Sequence, residues 1–528
     1  MRTNTFSIRQ KNKEKKSLPL PVMLLLALLA GASFVLALAP YGYWWVAILS
    51  PMVLYALLLP KFVQAGHGFL IGWAYGFGLW ATGVFWLHHS IHVYGHISSA
   101  VAYGLIGLMA LIMGLFSAVM AWGFVRFLGR QPLAFAAIWV LFEWLRTWLF
   151  TGFPWLFVGY AYTELPFVVS LAPVAGVFLI SFISVLLSAG LVEIVRQKAG
   201  YALLAGLAVL AGVGLWLTDV KWTTPTGQML SVSLVQGNID QDIKWQESAQ
   251  QEILETYAKL SHSHWGQDLV VWPEAAVPMF ADEAADFLGQ MRRFAQMTGS
   301  TLLTGIPYRD LENFNPQTAA YPDFYNAVMT FGGSEGLYKK QRLVPFGEYT
   351  PLAGMLDILP NLASNQRVIG HSKGTPNQPA IAIDGHPMGL AICYEVAYPD
   401  VVRKNAQNRE FLLTVSNDAW FGTSAGPHQH LQMVQMRSVE LGKWFVRGTN
   451  NGITAIIDEK GRILDSLPQF TPAVLRGQVA MMTGQTPYGR YGDVPVLSLV
   501  AILLLLSAWA GRNQRYFSKD GRFFQDYR

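Results

Sequence analysis

The feature that most constrains this chain is a succession of long, almost uncharged apolar stretches that fill the first 220 positions, with one more near the carboxyl end. A hydrocarbon core about 30 Å thick needs roughly 20 apolar residues per helix. Candidate spans fall at about 18–38, 43–59, 67–87, 98–125, 132–150, 167–192, 200–218 and 493–510. Inside lipid each backbone N–H and C=O has to be satisfied within its own element, so a multi-pass α-helical membrane domain of about eight helices is expected. Between Gln228 and Gly489 the polarity is mixed. This predicts three parts: 1–223 with seven spans, a globular catalytic domain over 224–489, and an eighth span with a short tail over 490–528.

Basic residues mark alternate connections. Arg2, Arg9, Lys11, Lys13, Lys15 and Lys16 precede the first span, and Lys61, Arg126 with Arg130, Arg196 with Lys198, and Arg512, Arg515, Lys519, Arg522 and Arg528 mark every second connection after it. Cytoplasmic loops carry the positive excess. Both termini are therefore expected inside and the large domain outside, which in a bacterial inner membrane is the periplasm. The net charge of +5 is accounted for by these span ends, so the basic surplus reads as topology and not as nucleic-acid binding. Ala37-Leu38-Ala39 resembles a signal cleavage site. The run before it exceeds the usual signal core of about 7–15 residues. Pro40 also follows directly, so the first run is expected to be retained.

Two polar clusters interrupt the apolar half. Glu143 and Arg146 sit i, i+3 on one face of the fifth span. Charges in lipid are costly and are paired or functional, so the two read either as a self-neutralising pair or as substrate-binding residues that meet a lipid headgroup. His88, His89, His92 and His96 gather after the third span, where His88, His92 and His96 would share a face if helical. They read as interfacial histidines, and no metal site is expected.

In the globular half, β-branched runs predict strands at 229–235, 268–272, 300–304, 326–331, 387–393, 410–416, 453–457 and 474–480, with helices at 246–262, 282–298 and 428–444. This is an α/β or α+β pattern. The only cysteine, Cys393, excludes an internal disulfide and a Cys-based zinc cluster. It ends the apolar run Met388-Gly389-Leu390-Ala391-Ile392 and is followed by Tyr394 and Glu395. Two other segments deliver reactive groups in the same way: Leu269-Val270-Val271-Trp272-Pro273-Glu274, and Tyr338-Lys339-Lys340 leading into Leu343-Val344-Pro345-Phe346-Gly347-Glu348-Tyr349. A thiol with an ordinary pKa near 8.5 needs a base to become a nucleophile and a cation to stabilise what forms. A Glu, a Lys and a Cys are the parts of such an acyl-transfer site.

The Trp-Pro-Glu, Lys-x-x-Leu-Val-Pro-Phe-Gly-Glu-Tyr and Ile-Cys-Tyr-Glu segments resemble the Glu-Lys-Cys motifs of the nitrilase superfamily, in the form found in bacterial apolipoprotein N-acyltransferases. The resemblance extends to Phe142-Glu143-Trp144-Leu145-Arg146, Thr151-Gly152-Phe153-Pro154-Trp155, Leu234-Val235-Gln236-Gly237-Asn238-Ile239 and Ser416-Asn417-Asp418-Ala419-Trp420-Phe421. It implies an αββα sandwich with Glu274 as general base, Lys340 as the cation at the oxyanion and Cys393 as nucleophile. The family pattern Tyr-x-Lys-x-x-Leu selects Lys340 over Lys339, and strand alternation turns the two apart. Glu348, Tyr394 and Glu395 match motif positions implicated in function: Glu348 would orient Lys340 or assist proton transfer and Glu395 would anchor near the thiol, the alternative for each of these two being a buried, paired carboxylate. Trp245 resembles a substrate-contacting tryptophan. The implied reaction moves an acyl group from the sn-1 position of a phospholipid, phosphatidylethanolamine by preference, to the α-amine of a diacylglyceryl-cysteine on an apolipoprotein, with no cofactor.

Other readings are weaker. Gly422-Thr423-Ser424-Ala425-Gly426 has the spacing of a serine-hydrolase elbow, but that elbow is followed by an acid and a histidine, and no histidine occurs after His430. His428 and His430 with Asp418 match no strong metal motif and are expected to pack or hydrogen-bond. A transporter would line a path with polar residues, and beyond Glu143 and Arg146 the spans are nearly free of charge, so no such path is visible. A membrane-bound amidase that passes its acyl group to water shares the same triad and differs only in the acceptor.

Overall fold

The computed structural model describes residues 18–196, 200–317, 319, 321–350 and 370–523. The basic segment ahead of the first span and Lys198 lie outside the described residues. Helices form at all eight expected positions. Leu20–Ala37, Ser99–Phe127, Ala172–Val195 and Val494–Arg512 are long and apolar enough to cross a membrane. Ala65–Gly83 with Leu87–Tyr94, bent by 63°, makes a fifth if the pair is one span. Val46–Leu58, Pro132–Leu145 and Ala208–Leu217 are apolar but shorter, so length and composition alone do not reach eight among the described residues.

The mixed-polarity region forms two six-stranded sheets. In the first, β1 (Thr223–Gln236), β2 (Leu269–Val271) and β3 (Thr301–Arg309) run parallel. They are flanked by antiparallel β12 (Ala473–Gly484) on one side and by β4 (Phe324–Gly332) and β5 (Gly336–Lys339) on the other. In the second, β7 (His386–Ile392), β8 (Phe411–Ser416) and β9 (Phe445–Thr449) run parallel between antiparallel β6 (Ile381–Ile383) and the pair β10 (Ala455–Ile457) and β11 (Ile463–Ser466). The sheets stack face to face over Val232, Leu234, Val271, Leu303, Leu390, Ile392, Leu413 and Val446. Helices Glu247–Ser261 and Ala285–Thr298 cover the outer face of the first sheet through Ile253, Tyr257, Leu288 and Met291. Strands covered on both faces read as continuous apolar runs, which is why Leu269-Val270-Val271 and Phe411–Ser416 are buried throughout.

The outer face of the second sheet is covered by helix Gly426–Leu441, which is buried at every position except His428. Its sequence, Gln-His-Leu-Gln-Met-Val-Gln-Met-Arg-Ser-Val-Glu, is that of a half-exposed helix. It is buried because the membrane segments close over it, and its polar side chains become the bolts between the two parts. Gln429 Oε1 accepts Trp155 Nε1–H at 2.7 Å, Gln432 accepts Ala39 N–H at 3.2 Å and donates to Thr163 Oγ1 at 3.2 Å, and Glu440 accepts Val177 N–H at 2.8 Å. The last bond exists because the span Ala172–Val195 breaks at Ala175 and Gly176 (φ +74°), which takes Val177 N–H out of the helical ladder. Gly176 is required there: a Cβ would lie 2.6 Å from the Tyr488 ring.

The structure corrects several sequence expectations. The helix expected over 428–444 ends at Leu441 with Gly442 in the left-handed region, and the chain turns directly into β9, a central strand not expected from sequence. Its run Phe445-Val446-Arg447 carries a charge that masks the apolar signal. β5, β6 and β11 and helix Pro399–Asn405 were also not expected. The shared histidine face stops at His92, because His96 adopts φ +51° beyond the helical turn. His88 instead stacks on Tyr103 at 4.5 Å and His92 Nδ1 lies 2.7 Å from the Ile97 carbonyl.

Candidate active site

Glu274, Lys340 and Cys393, far apart in sequence, are brought together where strands of the two sheets end. β2 leads through Trp272 and Pro273 to Glu274, β5 ends one residue before Lys340, β7 ends one residue before Cys393, and β8 ends one residue before Asn417. Glu274 Oε1 accepts from Lys340 Nζ at 3.1 Å and from Asn326 Nδ2 at 2.8 Å, while Oε2 accepts the Asn417 backbone N–H at 2.9 Å. Lys340 Nζ also donates to Glu348 Oε1 at 2.9 Å, and Asn326 Nδ2 bridges to the same oxygen at 2.8 Å. Glu348 Oε2 accepts Val344 N–H at 2.7 Å, which folds the Pro345–Gly347 turn around the lysine. Lys339 points to the opposite side of the strand, where it pairs with Asp310 at 2.9 Å and lies over the Tyr325 ring.

Cys393 sits at a sharp exit from β7 with φ +51°, a conformation that costs a non-glycine residue about 1–3 kcal/mol and persists only when its surroundings enforce it. Two side chains do so. His430 Nε2 lies 3.1 Å from the Cys393 carbonyl oxygen; a carbonyl only accepts, so this nitrogen carries the proton. Glu395 accepts Ile392 N–H at 2.7 Å, Gln341 N–H at 2.5 Å, Arg342 N–H at 3.1 Å and the Tyr338 hydroxyl at 2.9 Å. One carboxyl group therefore ties the residue before the thiol to the residue after the lysine. His430 in turn meets Asp418, which Arg447 holds at 2.6 Å.

Glu274, Lys340 and Cys393 are all buried. Burial drives an isolated carboxylate up and an isolated lysine down. Here burial of Glu274 is outweighed by Lys340 and by the Asn326 amide, which hold it below the usual carboxylate range. Burial of Lys340 is likewise outweighed by Glu274 and Glu348, which hold it well above an ordinary lysine. Burial and the Glu274 carboxylate push the Cys393 thiol up, against the pull of Lys340 and the Ser416 hydroxyl. The resting centre is thus a thiol beside a carboxylate and an ammonium. Such an arrangement can hand the thiol proton to the carboxylate as sulfur attacks a carbonyl, and can stabilise the oxyanion with the lysine.

The remaining sequence candidates lie further out. Tyr394 directs its hydroxyl to the Gly152 carbonyl at 3.5 Å and its ring to Phe153 and Tyr398, so it meets the membrane part. Trp245 is half exposed beside the buried Lys244. Glu143 and Arg146 are buried 3.9 Å apart, where Glu143 accepts from Trp139 and Val158 N–H and Arg146 donates to the Trp155 carbonyl. Ser424 Oγ accepts Gly426 N–H at 3.2 Å. Sequence reasoning missed Asn326, Lys244 and the contact of His430 with the nucleophile. Asn417 stood in a quoted segment and could have been found there; a lone asparagine on a strand gives no signal.

Two family models match the chain: the apolipoprotein N-acyltransferase N-terminal domain over residues 30–190 and the carbon-nitrogen hydrolase over residues 231–488. The chain is 41% identical to the apolipoprotein N-acyltransferase of Pseudomonas aeruginosa, covering 95% of this chain and 98% of that one. It is 43% identical to that of Azotobacter vinelandii, over 92% and 94% of the two chains. The Vibrio parahaemolyticus protein is 37% identical over 93% and 97%. Both halves of the chain match in order and nearly end to end, with the Glu, Lys and Cys gathered in the hydrolase half: the chain belongs to the apolipoprotein N-acyltransferase family.

Proposed function

We propose that this protein transfers a fatty acyl group from the sn-1 position of a phospholipid to the α-amine of the diacylglyceryl-cysteine of an apolipoprotein, through a thioester on Cys393. The single observation that carries this reading is the Glu274–Lys340–Glu348 cluster beside the only thiol, in a domain bolted to apolar helices by Gln429, Gln432 and Glu440. Cys393 attacks the ester carbonyl while Glu274 takes the thiol proton. Lys340 stabilises the oxyanion, and collapse expels the lysophospholipid as its alcohol, which receives that proton. The acceptor amine then attacks the thioester, Glu274 removes an amine proton, and the thiol leaves to give an amide. Every step uses only side chains of this chain.

Phosphatidylethanolamine is the donor in this reading. Glu348 orients Lys340, Glu395 fixes the nucleophile, and Tyr394 and Trp245 line the approach. Glu143 and Arg146, buried 3.9 Å apart, are read as a self-neutralising pair and not as a direct lipid-headgroup contact. The protein is placed in a bacterial inner membrane with eight spans, residues 224–489 in the periplasm and both termini in the cytoplasm, a reading supported by the alternation of Lys and Arg between connections.

Incubation with phosphatidylethanolamine radiolabelled in its acyl chain tests the scheme. Label should appear on Cys393 before any acceptor is added and pass to a diacylated lipopeptide as an amide. Release of the label only as free fatty acid in the presence of acceptor would make the protein a hydrolase. No label on wild-type Cys393 would end the two-step scheme.

A further inference from the structure

Lys244 lies on the connection from β1 to helix Glu247–Ser261, and it points inward while its neighbour Trp245 points out. It is 1% exposed, and Nζ donates to the backbone carbonyl oxygen of Glu274 at 3.1 Å. No carboxylate is within ion-pairing distance of it among the described residues, in contrast to Lys340, which has two. A buried ammonium without a counter-ion is costly unless something else in the site uses the charge. The charges facing it supply that use. Glu274 and Glu348 are two carboxylates against the single ammonium of Lys340, so that cluster alone carries one net negative charge. Asp418 is already matched by Arg447, and Glu395, which burial raises above the usual carboxylate range, is held by three backbone N–H groups and the Tyr338 hydroxyl. A thiolate formed beside an unbalanced carboxylate would be opposed; with Lys244 the cluster is neutral before the thiol ionises.

We propose that Lys244 is the balancing cation of this site: it fixes the backbone of Glu274 through the carbonyl and offsets the negative charge that develops on Cys393. The inference rests on the acyl-enzyme reading of Cys393 and adds a fourth charged residue to it. Burial lowers the Lys244 ammonium to about 8, in spite of Glu274 and Cys393, which both favour its charged form. The charge is therefore present at neutral pH and is lost on the alkaline side. The other groups that face this centre do not titrate in that range in the same sense. Lys340 is held well above an ordinary lysine, the Cys393 thiol is pushed up by burial, and the nearby His371 is held by burial below an ordinary histidine.

The test is the pH profile of acyl-enzyme formation on Cys393, with radiolabelled phosphatidylethanolamine in mixed micelles as the probe. In the wild type the rate should fall above about pH 8, as a required group loses its proton. Lys244→Met should slow formation by roughly 100-fold and lose the alkaline limb, while Lys244→Arg, whose cation does not titrate, should recover most of the rate and keep it at alkaline pH. Thermal melting in detergent reports whether each variant is folded; if the Met variant is not, the Arg variant decides. A Met variant that acylates at the wild-type rate, or an Arg variant whose alkaline limb coincides with that of the wild type, overturns the proposal. Absence of label from wild-type Cys393 would instead overturn the acyl-enzyme reading and this inference with it.

Discussion

The imidazole of His430 donates from Nε2 to the carbonyl oxygen of Cys393 at 3.1 Å. This bond pins a residue held at φ +51° from its carbonyl side, as Glu395 pins it from its amide side. His430→Ala removes one hydrogen bond from a buried carbonyl that also begins the 3-10 turn Cys393–Ala397, at a cost of about 0.5–1.5 kcal/mol. Lost from the geometry of attack, this is roughly a two- to tenfold drop in the rate of Cys393 acylation, measured as single-turnover labelling. An unchanged rate would show that the elbow holds without it.

Lys339 and Lys340 are adjacent but opposite in role. Lys340→Met removes the ammonium between Glu274 and Glu348 and should lower turnover by at least about 1,000-fold. Lys339→Met loses a largely buried pair with Asp310 on the opposite side of the strand from Glu274, so it should act on stability and leave turnover within roughly threefold of the wild type. The pair of variants is read in one assay, and the reverse order would reassign the cation.

Gly305 on β3 backs directly onto the Glu274 segment. A Cβ at this position would lie 2.5 Å from Ala275 N and Pro273 O and 2.6 Å from Glu274 Cα, all backbone atoms that cannot swing aside. Gly305→Ala should therefore displace the carboxylate, and a shift near 1 Å costs about 100-fold in rate. The fold should survive, so turnover falls far more than the melting temperature; a variant with normal turnover would mean the segment has slack.

Stability should respond to pH through two groups of opposite sign. Burial of Asp418 is outweighed by Arg447, and burial of Glu274 by Lys340, so both carboxyls lie below their ordinary values. Their contribution is present above the unfolded pKa near 4 and is lost as pH falls through the folded values. Glu440 is raised by burial, against Arg437, to about 7. Its contribution is complete below the unfolded value of about 4.3 and is lost as pH rises through 7. Melting temperatures in detergent should fall on the acid side, and Glu440→Gln should flatten the slope on the neutral side without changing the acid one. An unchanged neutral slope would remove Glu440 from this balance.

Much of this molecule is legible along the chain because the governing interactions are local. A run of 18 or more apolar residues forms a helix whatever its neighbours, so Leu20–Ala37 and Ser99–Phe127 fall where expected. Strands such as Leu269–Val271 and His386–Ile392 carry Glu274 and Cys393 at their ends for the same reason. Short motifs and alternation also separated Lys340 from Lys339. Sequence by itself thus determined the order of apolar and mixed segments, most of the strands, and the three side chains of the centre.

Only the tertiary structure decided what depends on partners distant in sequence. Helix Gly426–Leu441 looks amphipathic yet is buried at every position except His428, because Ala39, Trp155, Thr163 and Val177 of the apolar half cover its polar face. β9 hides behind Arg447, whose charge is matched by Asp418 from the turn after β8. Asn326, Lys244 and His430 gain their meaning from carbonyls and carboxylates up to 52 residues away along the chain. A polar side chain acquires a role only when folding removes water and leaves it one partner, and no local pattern records which partner that is.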